Sequence, residues 1–97
     1  PHSPRVTAGK QIYHVMNRGN GRLSIFDDDE DFEAFERVLL EGLHRFSDIG
    51  LMSYCVMPNH WHLLLYPTKD KVMSRFVAWV TLTHTTRWQK RKRSTTF

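Results

Sequence analysis

One stretch of the sequence decides the fold, Tyr54-Cys55-Val56-Met57-Pro58-Asn59-His60-Trp61-His62-Leu63-Leu64-Leu65-Tyr66. It indicates two extended segments joined at Pro58-Asn59. Residues i and i+2 of a strand point to the same face, so His60 and His62 should stand side by side. Trp61 and the alternate leucines should point the other way, into a core. Paired imidazoles beside an apolar sheet face predict a divalent-metal site.

Two histidines do not complete a metal site, and solvent-facing histidines without a ligand are the alternative interpretation. A third protein ligand or several water molecules would be required. The candidates for a third ligand are His14, on the predicted first strand, and His84, on the predicted last helix. Cys55 lies on the strand next to the pair, where we expect a buried structural cysteine.

Length and composition indicate a single small globular domain. The chain has 97 residues, of which 40% are hydrophobic. The single cysteine excludes an internal disulfide and favours a reducing compartment. The aliphatic run 63–65 is far too short to span a membrane. We therefore predict one domain over residues 1–97 and no membrane partner.

Charge is distributed unevenly along the chain, although the net charge is only +4. Eight of the ten acidic residues lie between Asp27 and Glu41, a segment in which only Arg37 is basic. The rest of the chain carries thirteen Lys and Arg against two acids. This asymmetry favours a polyanionic partner, most simply nucleic acid, and a solubilising surface is the alternative.

Two basic regions are candidates for contact with nucleic-acid phosphates. Residues 17–22 form a glycine- and asparagine-rich loop with exposed backbone amides, which is otherwise an ordinary surface loop. The second region is the basic run that ends the last helix. Trp88 within that run could stack on a base, but we favour a role in capping the core. The predicted DNA-binding residues are Arg18, Arg22, Arg87, Lys90, Arg91, Lys92 and Arg93.

Hydrophobic periodicity predicts the order strand, helix, strand, strand, helix. The predicted strands are 11–16, 51–57 and 60–66, and the predicted helices are 27–48 and a segment from 71 into the basic run. We expect Asp27 and Glu30 to form a capping box on the first helix, and Asp70 to cap the second. The first helix should turn its acidic face to solvent. Its apolar stripe should face the core and consists of Phe32, Phe35, Leu39, Leu43 and Phe46.

This βαββα order is one strand short of the ferredoxin-like βαββαβ fold. We therefore predict an α+β sandwich in which two helices cover one face of an antiparallel sheet, with the last strand missing or incomplete. His60 and His62 should then lie on the open face of the sheet, where chemistry is possible.

Two strings within this arrangement resemble a known family. They are Tyr13-His14-Val15-Met16-Asn17-Arg18-Gly19-Asn20 and Tyr54-Cys55-Val56-Met57-Pro58-Asn59-His60-Trp61-His62-Leu63-Leu64, accompanied by Phe26 and the segment 83–88. Together they resemble the HUH single-tyrosine transposases, the superfamily that includes the transposases of the smallest bacterial insertion sequences. The closest branch is the REP-associated tyrosine transposases. The resemblance covers about residues 4–97.

The resemblance implies a role in DNA transposition, by metal-dependent cleavage and rejoining of single-stranded DNA through a 5′-phosphotyrosine. It makes His60 and His62 the metal ligands and Mg²⁺ or Mn²⁺ the cofactor. The implied partner is single-stranded or hairpin DNA, and the implied location is the bacterial cytoplasm, in association with the nucleoid. We also expect a possible homodimer that covers the edge left by the missing strand.

The nucleophilic tyrosine of the family has no counterpart in Tyr13, Tyr54 or Tyr66. We therefore expect no catalytic residue within the chain, a nucleophile beyond Phe97, and a truncated family member that does not cleave DNA unaided. A non-catalytic remnant that binds hairpin or single-stranded DNA is the alternative. A metal-dependent hydrolase of another class, with His84 or His14 as third ligand, is a further interpretation.

Overall fold

The computed structural model describes residues 9–18 and 26–94, and within them it confirms the predicted order of elements. The strands are β1 (Tyr13–Arg18), β2 (Ile49–Met57) and β3 (His60–Pro67). The helices are α1 (Asp29–Arg45) and α2 (Val72–Ser94). β1 therefore includes residues 17 and 18, which the sequence placed in a loop.

The three strands form one antiparallel sheet in the order β1-β3-β2. Because β3 is antiparallel to both of its neighbours, β1 and β2 are parallel to each other and α1 is the crossover between them. Side chains of both helices pack with the inward side chains of β3 in a single core. The helices therefore cover one face of the sheet, and the α+β, ferredoxin-like prediction is confirmed.

The central strand β3 alternates strictly between the two faces of the sheet. Trp61, Leu63 and Leu65 are buried beneath the helices, and the residues between them are half-buried on the other side, the open face. The ring of Phe35 on α1 lies 5.3 Å from the Trp61 ring. The stripe predicted for α1 is confirmed as core, since its members are either buried or packed against the buried cluster.

Pro58 and Asn59 form a two-residue turn that joins β2 to β3. The type I′ turn that is common in such hairpins requires a positive φ at both positions, which proline cannot adopt. Neither residue has a positive φ. The Pro58 carbonyl accepts a hydrogen bond from the Phe26 N–H at 3.0 Å. This bond ties the tip of the hairpin, and with it His60, to the segment that leads into α1.

The N-terminus of α1 is shifted by one residue from the prediction. Asp28, and not Asp27, is the N-cap, and its side chain accepts a hydrogen bond from the Asp31 N–H at 3.0 Å. The Asp31 carboxylate in turn accepts from the Asp27 N–H at 2.8 Å. The predicted capping box named the wrong residues. The N-cap is Asp28, and the carboxylate that accepts the second hydrogen bond belongs to Asp31 and not to Glu30.

The start of α2 also differs from the prediction. Lys71, with a φ of 69°, separates Asp70 from Val72, the first helical residue. The Asp70 carboxylate accepts a hydrogen bond from the Gly9 N–H at 2.7 Å. Asp70 thus ties the segment before β1 to the β3–α2 connection.

The two helices approach each other closely at Gly42 of α1. A Cβ at this position would lie 2.9 Å from Cε1 of Phe76 and 3.2 Å from Cζ3 of Trp79. Phe76 is fully buried, so its ring has no space into which it can move. The absence of a side chain at Gly42 is therefore what permits this helix contact.

We predict that Gly42→Ala lowers the free energy of unfolding by about 1 kcal/mol. Overpacking costs about 1–3 kcal/mol, which outweighs a gain of about 1 kcal/mol in helix propensity. Chemical denaturation measures the difference. Gly50→Ala is the control, because a Cβ there would lie 3.8 Å from the Tyr66 carbonyl oxygen, an ordinary contact. A Gly42→Ala variant as stable as the wild type would contradict this account of the helix contact.

Candidate functional site

Residues of the open face form three rows across the sheet, each with one residue from β1, β3 and β2 in turn. The rows are Arg18-His60-Met57, Met16-His62-Cys55 and His14-Leu64-Ser53. The first row lies next to the hairpin tip. The open face therefore places imidazole and sulfur-containing residues around the first half of β3, next to the hairpin tip.

His60 and His62 lie side by side on the open face, as the spacing predicts. Their ring centroids are 4.9 Å apart, and the ring planes are inclined at 80°. Both residues are half-buried. Two imidazoles at this separation form a pair that can approach one cation, and their role as metal ligands stays a prediction.

The Nδ1 atom of each of these rings is held by a neighbouring side chain. His60 Nδ1 lies 2.7 Å from Asn59 Oδ1. Because an amide oxygen only accepts, His60 Nδ1 carries the proton of this bond. His62 Nδ1 lies 2.8 Å from His14 Nε2, and either nitrogen can carry the shared proton. Metal binding by the two rings would therefore use their Nε2 atoms.

His84, one of the two candidates for a third ligand, lies on the helix-covered side of the sheet. Its ring stacks on Phe26 with 5.1 Å between centroids and meets Phe35 edge-on. Burial, together with the nearby Arg91 charge, lowers the pKa of His84 to about 4, against the opposing effect of Asp31. The interpretation of His84 as a third ligand is wrong, because the sheet separates it from the histidine pair.

His14, the other candidate, contacts the pair at the Nδ1 atom of His62. A metal would bind at the Nε2 atom of His62, which is a different atom of the ring. No group of three or more His, Cys, Asp or Glu side chains within residues 9–18 and 26–94 is arranged to hold a metal. Two imidazoles alone do not complete a metal site, so water or phosphate oxygens would have to supply the remaining ligands. This holds above all for Mg²⁺, which prefers oxygen ligands and retains several waters.

Cys55 is exposed on the open face, opposite His62, and the expectation of a buried cysteine is wrong. The strand β2 is irregular between Leu51 and Ser53, where Met52 is bulged out of the register. This bulge reverses the alternation, so that Val56 and not Cys55 faces the core. A shallow cavity of about 180 Å³ next to Cys55 is lined by His14, Ser53, Tyr54, His62, Leu63 and Leu64.

The three tyrosines are held away from the histidine pair. Tyr54 donates its hydroxyl to Glu36 of α1 at 2.7 Å, and this bond raises the pKa of the phenol. The Tyr13 hydroxyl donates to Gln11 at 3.4 Å. Tyr66 shares the open face but follows His62 by four residues, which corresponds to about 13 Å along a strand.

The basic end of α2 packs back on the acidic helix α1. Arg87 forms a two-bond ion pair with Glu41, with N···O distances of 2.8 and 3.0 Å. Arg91 Nη2 and Lys92 Nζ lie 2.6 and 2.8 Å from the two carboxylate oxygens of Asp31. The acidic face of α1, predicted to face only solvent, is therefore partly covered by α2.

The structure describes only some of the remaining residues that were predicted to contact phosphate. Lys90 is exposed on α2. Arg22 and the side chains of Arg18 and Arg93 lie outside the described residues. Trp88 is half-buried, and the Lys92 ammonium lies 5.8 Å from its ring centroid. A role in DNA binding stays a prediction for all seven basic residues.

Asp31 is an important residue that the sequence patterns did not single out. Its side chain is only 1% exposed, although it carries a charge. Its spacing from Phe35 and Val38, at i+4 and i+7, places it on the apolar face of α1, and this was the available signal. Burial by itself would raise the pKa of Asp31. The hydrogen bonds from Lys92, the Asp27 N–H and Arg91 outweigh burial and lower this pKa to about 2.

With this geometry in view, the family of the chain can be stated. Residues 7–96 match the family described as Transposase IS200 like. The chain belongs to the IS200-like transposases. No curated protein and no solved structure matches it. Membership supports transposition as the general function and DNA as the partner of this IS200-like transposase. In the part of the chain that the structure describes, no helix is long and apolar enough to cross a membrane.

We predict that Asp31→Asn lowers the free energy of unfolding by about 2 kcal/mol near neutral pH, because it removes the charged partner of Arg91 and Lys92. The pKa of Asp31 in the folded protein, about 2, is below the ordinary 3.8. Its stabilisation is therefore complete above about pH 4 and is lost as the pH falls through about 2.

Urea denaturation as a function of pH tests this expectation. The wild type and Asp31→Asn should differ at neutral pH and converge in strong acid. Glu33→Gln, which changes an exposed carboxylate of the same helix, is the control and should follow the wild type. Equal stability of Asp31→Asn and wild type at neutral pH would show that the buried ion pair does not stabilise the fold.

Proposed function

We propose that this IS200-like transposase binds single-stranded or hairpin DNA on the open face of its sheet, where His60 and His62 hold Mg²⁺ or Mn²⁺ against a DNA phosphate. The observation that carries this function is the adjacent histidine pair with both Nδ1 atoms engaged by neighbours. This arrangement directs metal binding to the two Nε2 atoms. From the resemblance of its two sequence strings, we also propose that the chain belongs to the REP-associated tyrosine branch and acts at the bacterial nucleoid.

The bound metal would polarise a phosphate oxygen as a Lewis acid. His60 and His62 would contribute two neutral nitrogen ligands, and Asn59 would keep the His60 ring in place through its amide oxygen. Cleavage and rejoining through a 5′-phosphotyrosine would also need a nucleophile. We assign that role to none of Tyr13, Tyr54 and Tyr66, because their positions keep them away from the pair.

The basic residues of α2 differ in how much stability the protein would lose if their ion pairs broke and they bound DNA instead. Arg87 and Glu41 are 46% and 49% exposed, and a pair with such exposure contributes little to stability. Arg91 and Lys92 neutralise the buried Asp31, so their release would leave an uncompensated charge. We therefore propose Arg87 and Lys90 as the phosphate contacts among the described side chains of α2.

Binding of a fluorescent DNA hairpin with and without Mn²⁺ tests the function. We predict that Mn²⁺ strengthens hairpin binding to the wild type. The double variant His60→Ala, His62→Ala should bind Mn²⁺ at least about 10-fold more weakly and lose that effect. His44→Ala removes an exposed histidine of α1 and is the matched control.

The same titration, repeated at several salt concentrations, separates metal-assisted binding from the alternative function. Hairpin affinity that falls steeply with salt, but ignores both Mn²⁺ and the double variant, would indicate a non-catalytic DNA-binding protein. Affinity that does not respond to salt would count against phosphate contacts altogether.

We also propose that two copies associate along the edge of β2. In the described sheet β1 and β2 each have one unpaired edge that can accept another strand, and we choose β2 because of the apolar surface beside it. Next to it, a groove of about 310 Å³ is lined mainly by apolar side chains of α1 and β2. Leu40 and Met52 are 59% and 56% exposed, which supports an apolar contact.

Light scattering after gel filtration tests this association. We predict a dimer for the wild type and a monomer for the double variant Leu40→Glu, Met52→Glu, because buried charges oppose an apolar contact. Leu82→Glu places the same charge on an apolar residue of α2 that is 69% exposed, and it should remain dimeric. A monomeric wild type would overturn the proposal.

A further inference from the structure

His14 connects β1 to the histidine pair by a bond between two imidazoles. His14 Nε2 lies 2.8 Å from His62 Nδ1, and the ring planes are parallel to within 2°. The ring centroids are 4.9 Å apart, and the 2.8 Å between the two nitrogens is shorter than the separation of stacked rings, so the rings meet edge to edge near a common plane. Since the lone pair of an imidazole nitrogen lies in the ring plane, parallel planes with a short N···N distance indicate an in-plane hydrogen bond.

The proton in this bond has two possible positions, with different consequences for His62. In a neutral imidazole one nitrogen donates and the other accepts. If His14 donates, the proton of His62 sits on Nε2 and blocks that atom as a ligand. If His62 donates from Nδ1, its Nε2 presents a lone pair, and His14 carries its own proton on Nδ1. Metal binding through His62 Nε2 is compatible only with the second arrangement.

We propose that His14 is a positioning residue for His62: its Nε2 accepts a hydrogen bond from the Nδ1–H of His62 and fixes both the tautomer and the orientation of that ring. Its role in metal binding rests on the proposed function of the pair. Asn59 performs the equivalent task for His60, with an oxygen that can only accept. Partners that fix the tautomer of a metal-binding histidine are worth about 10–100-fold in metal affinity.

His14 itself is not a third ligand in this arrangement. The nitrogen that faces the site, Nε2, is already used as the acceptor for His62. Its other nitrogen carries the proton of a neutral ring. The effect of His14 on a bound metal is therefore exerted through His62.

Two substitutions separate the hydrogen bond from the space that the ring fills. His14→Phe keeps an aromatic ring but removes the acceptor, and it should weaken Mn²⁺ binding about 10-fold or more in calorimetric titration. His14→Gln keeps an acceptor and should recover most of the affinity. His44→Phe makes the same change at an exposed position of α1 and should bind Mn²⁺ as the wild type does.

Nitrogen NMR of the imidazoles in the metal-free protein gives a readout that does not depend on metal binding. At about pH 8.5, above the ordinary pKa of histidine, the wild type should hold His62 as the Nδ1–H tautomer. His14→Phe should show a mixture of both tautomers at His62, with His60 unchanged.

The two measurements distinguish failure of this inference from failure of the proposed function. A wild type whose His62 carries its proton on Nε2, or a folded His14→Phe variant with unchanged Mn²⁺ affinity, would overturn the role of His14. A wild type that binds no Mn²⁺ would instead overturn the metal site, and the His62 tautomer would still decide whether His14 positions the ring. The wild-type spectrum decides this even if a variant fails to fold.

Discussion

The strict alternation of the central strand β3 is the constraint on which the rest of the structure depends. Trp61 and the leucines on its side fill the core, and this fixes the opposite face for His60 and His62. Both edges of β3 are bonded, so a slip of one residue would break two ladders and expose Trp61. The burial of an apolar ring therefore holds the histidine pair at the surface.

The sequence predicted what depends on local periodicity and missed what depends on pairing between elements. Element order and the face of each residue on β3 follow from patterns within one segment. Cys55 was expected to be buried because cysteine usually is, but the bulge at Met52, which no local pattern revealed, turns it to the open face. The bond between His14 and His62 joins residues 48 positions apart, so it required the register of β1 on β3.

The ion pairs of the basic residues likewise could not be predicted from the sequence, because they join different elements. An excess of basic residues outside α1 suggested cations available to a polyanion. In the structure Arg87, Arg91 and Lys92 neutralise carboxylates of α1, so a nucleic acid would compete with α1 for them. The competition is unequal, because Asp31 is buried and Glu41 is half exposed. A basic run can therefore stabilise the fold at some positions and remain available for phosphate at others.

The contacts around Phe26 explain why the basic end of α2 and the histidine pair occupy the same end of the molecule. The Phe26 backbone bonds the hairpin turn beside His60, and its ring stacks on His84 of α2. Asp31, one turn into α1, holds the following turns of α2 through two cations. Hairpin, α1 and α2 are thus joined at one end of the sheet. A DNA strand whose phosphate lies at the histidine pair would have the basic end of α2 at the same end of the molecule.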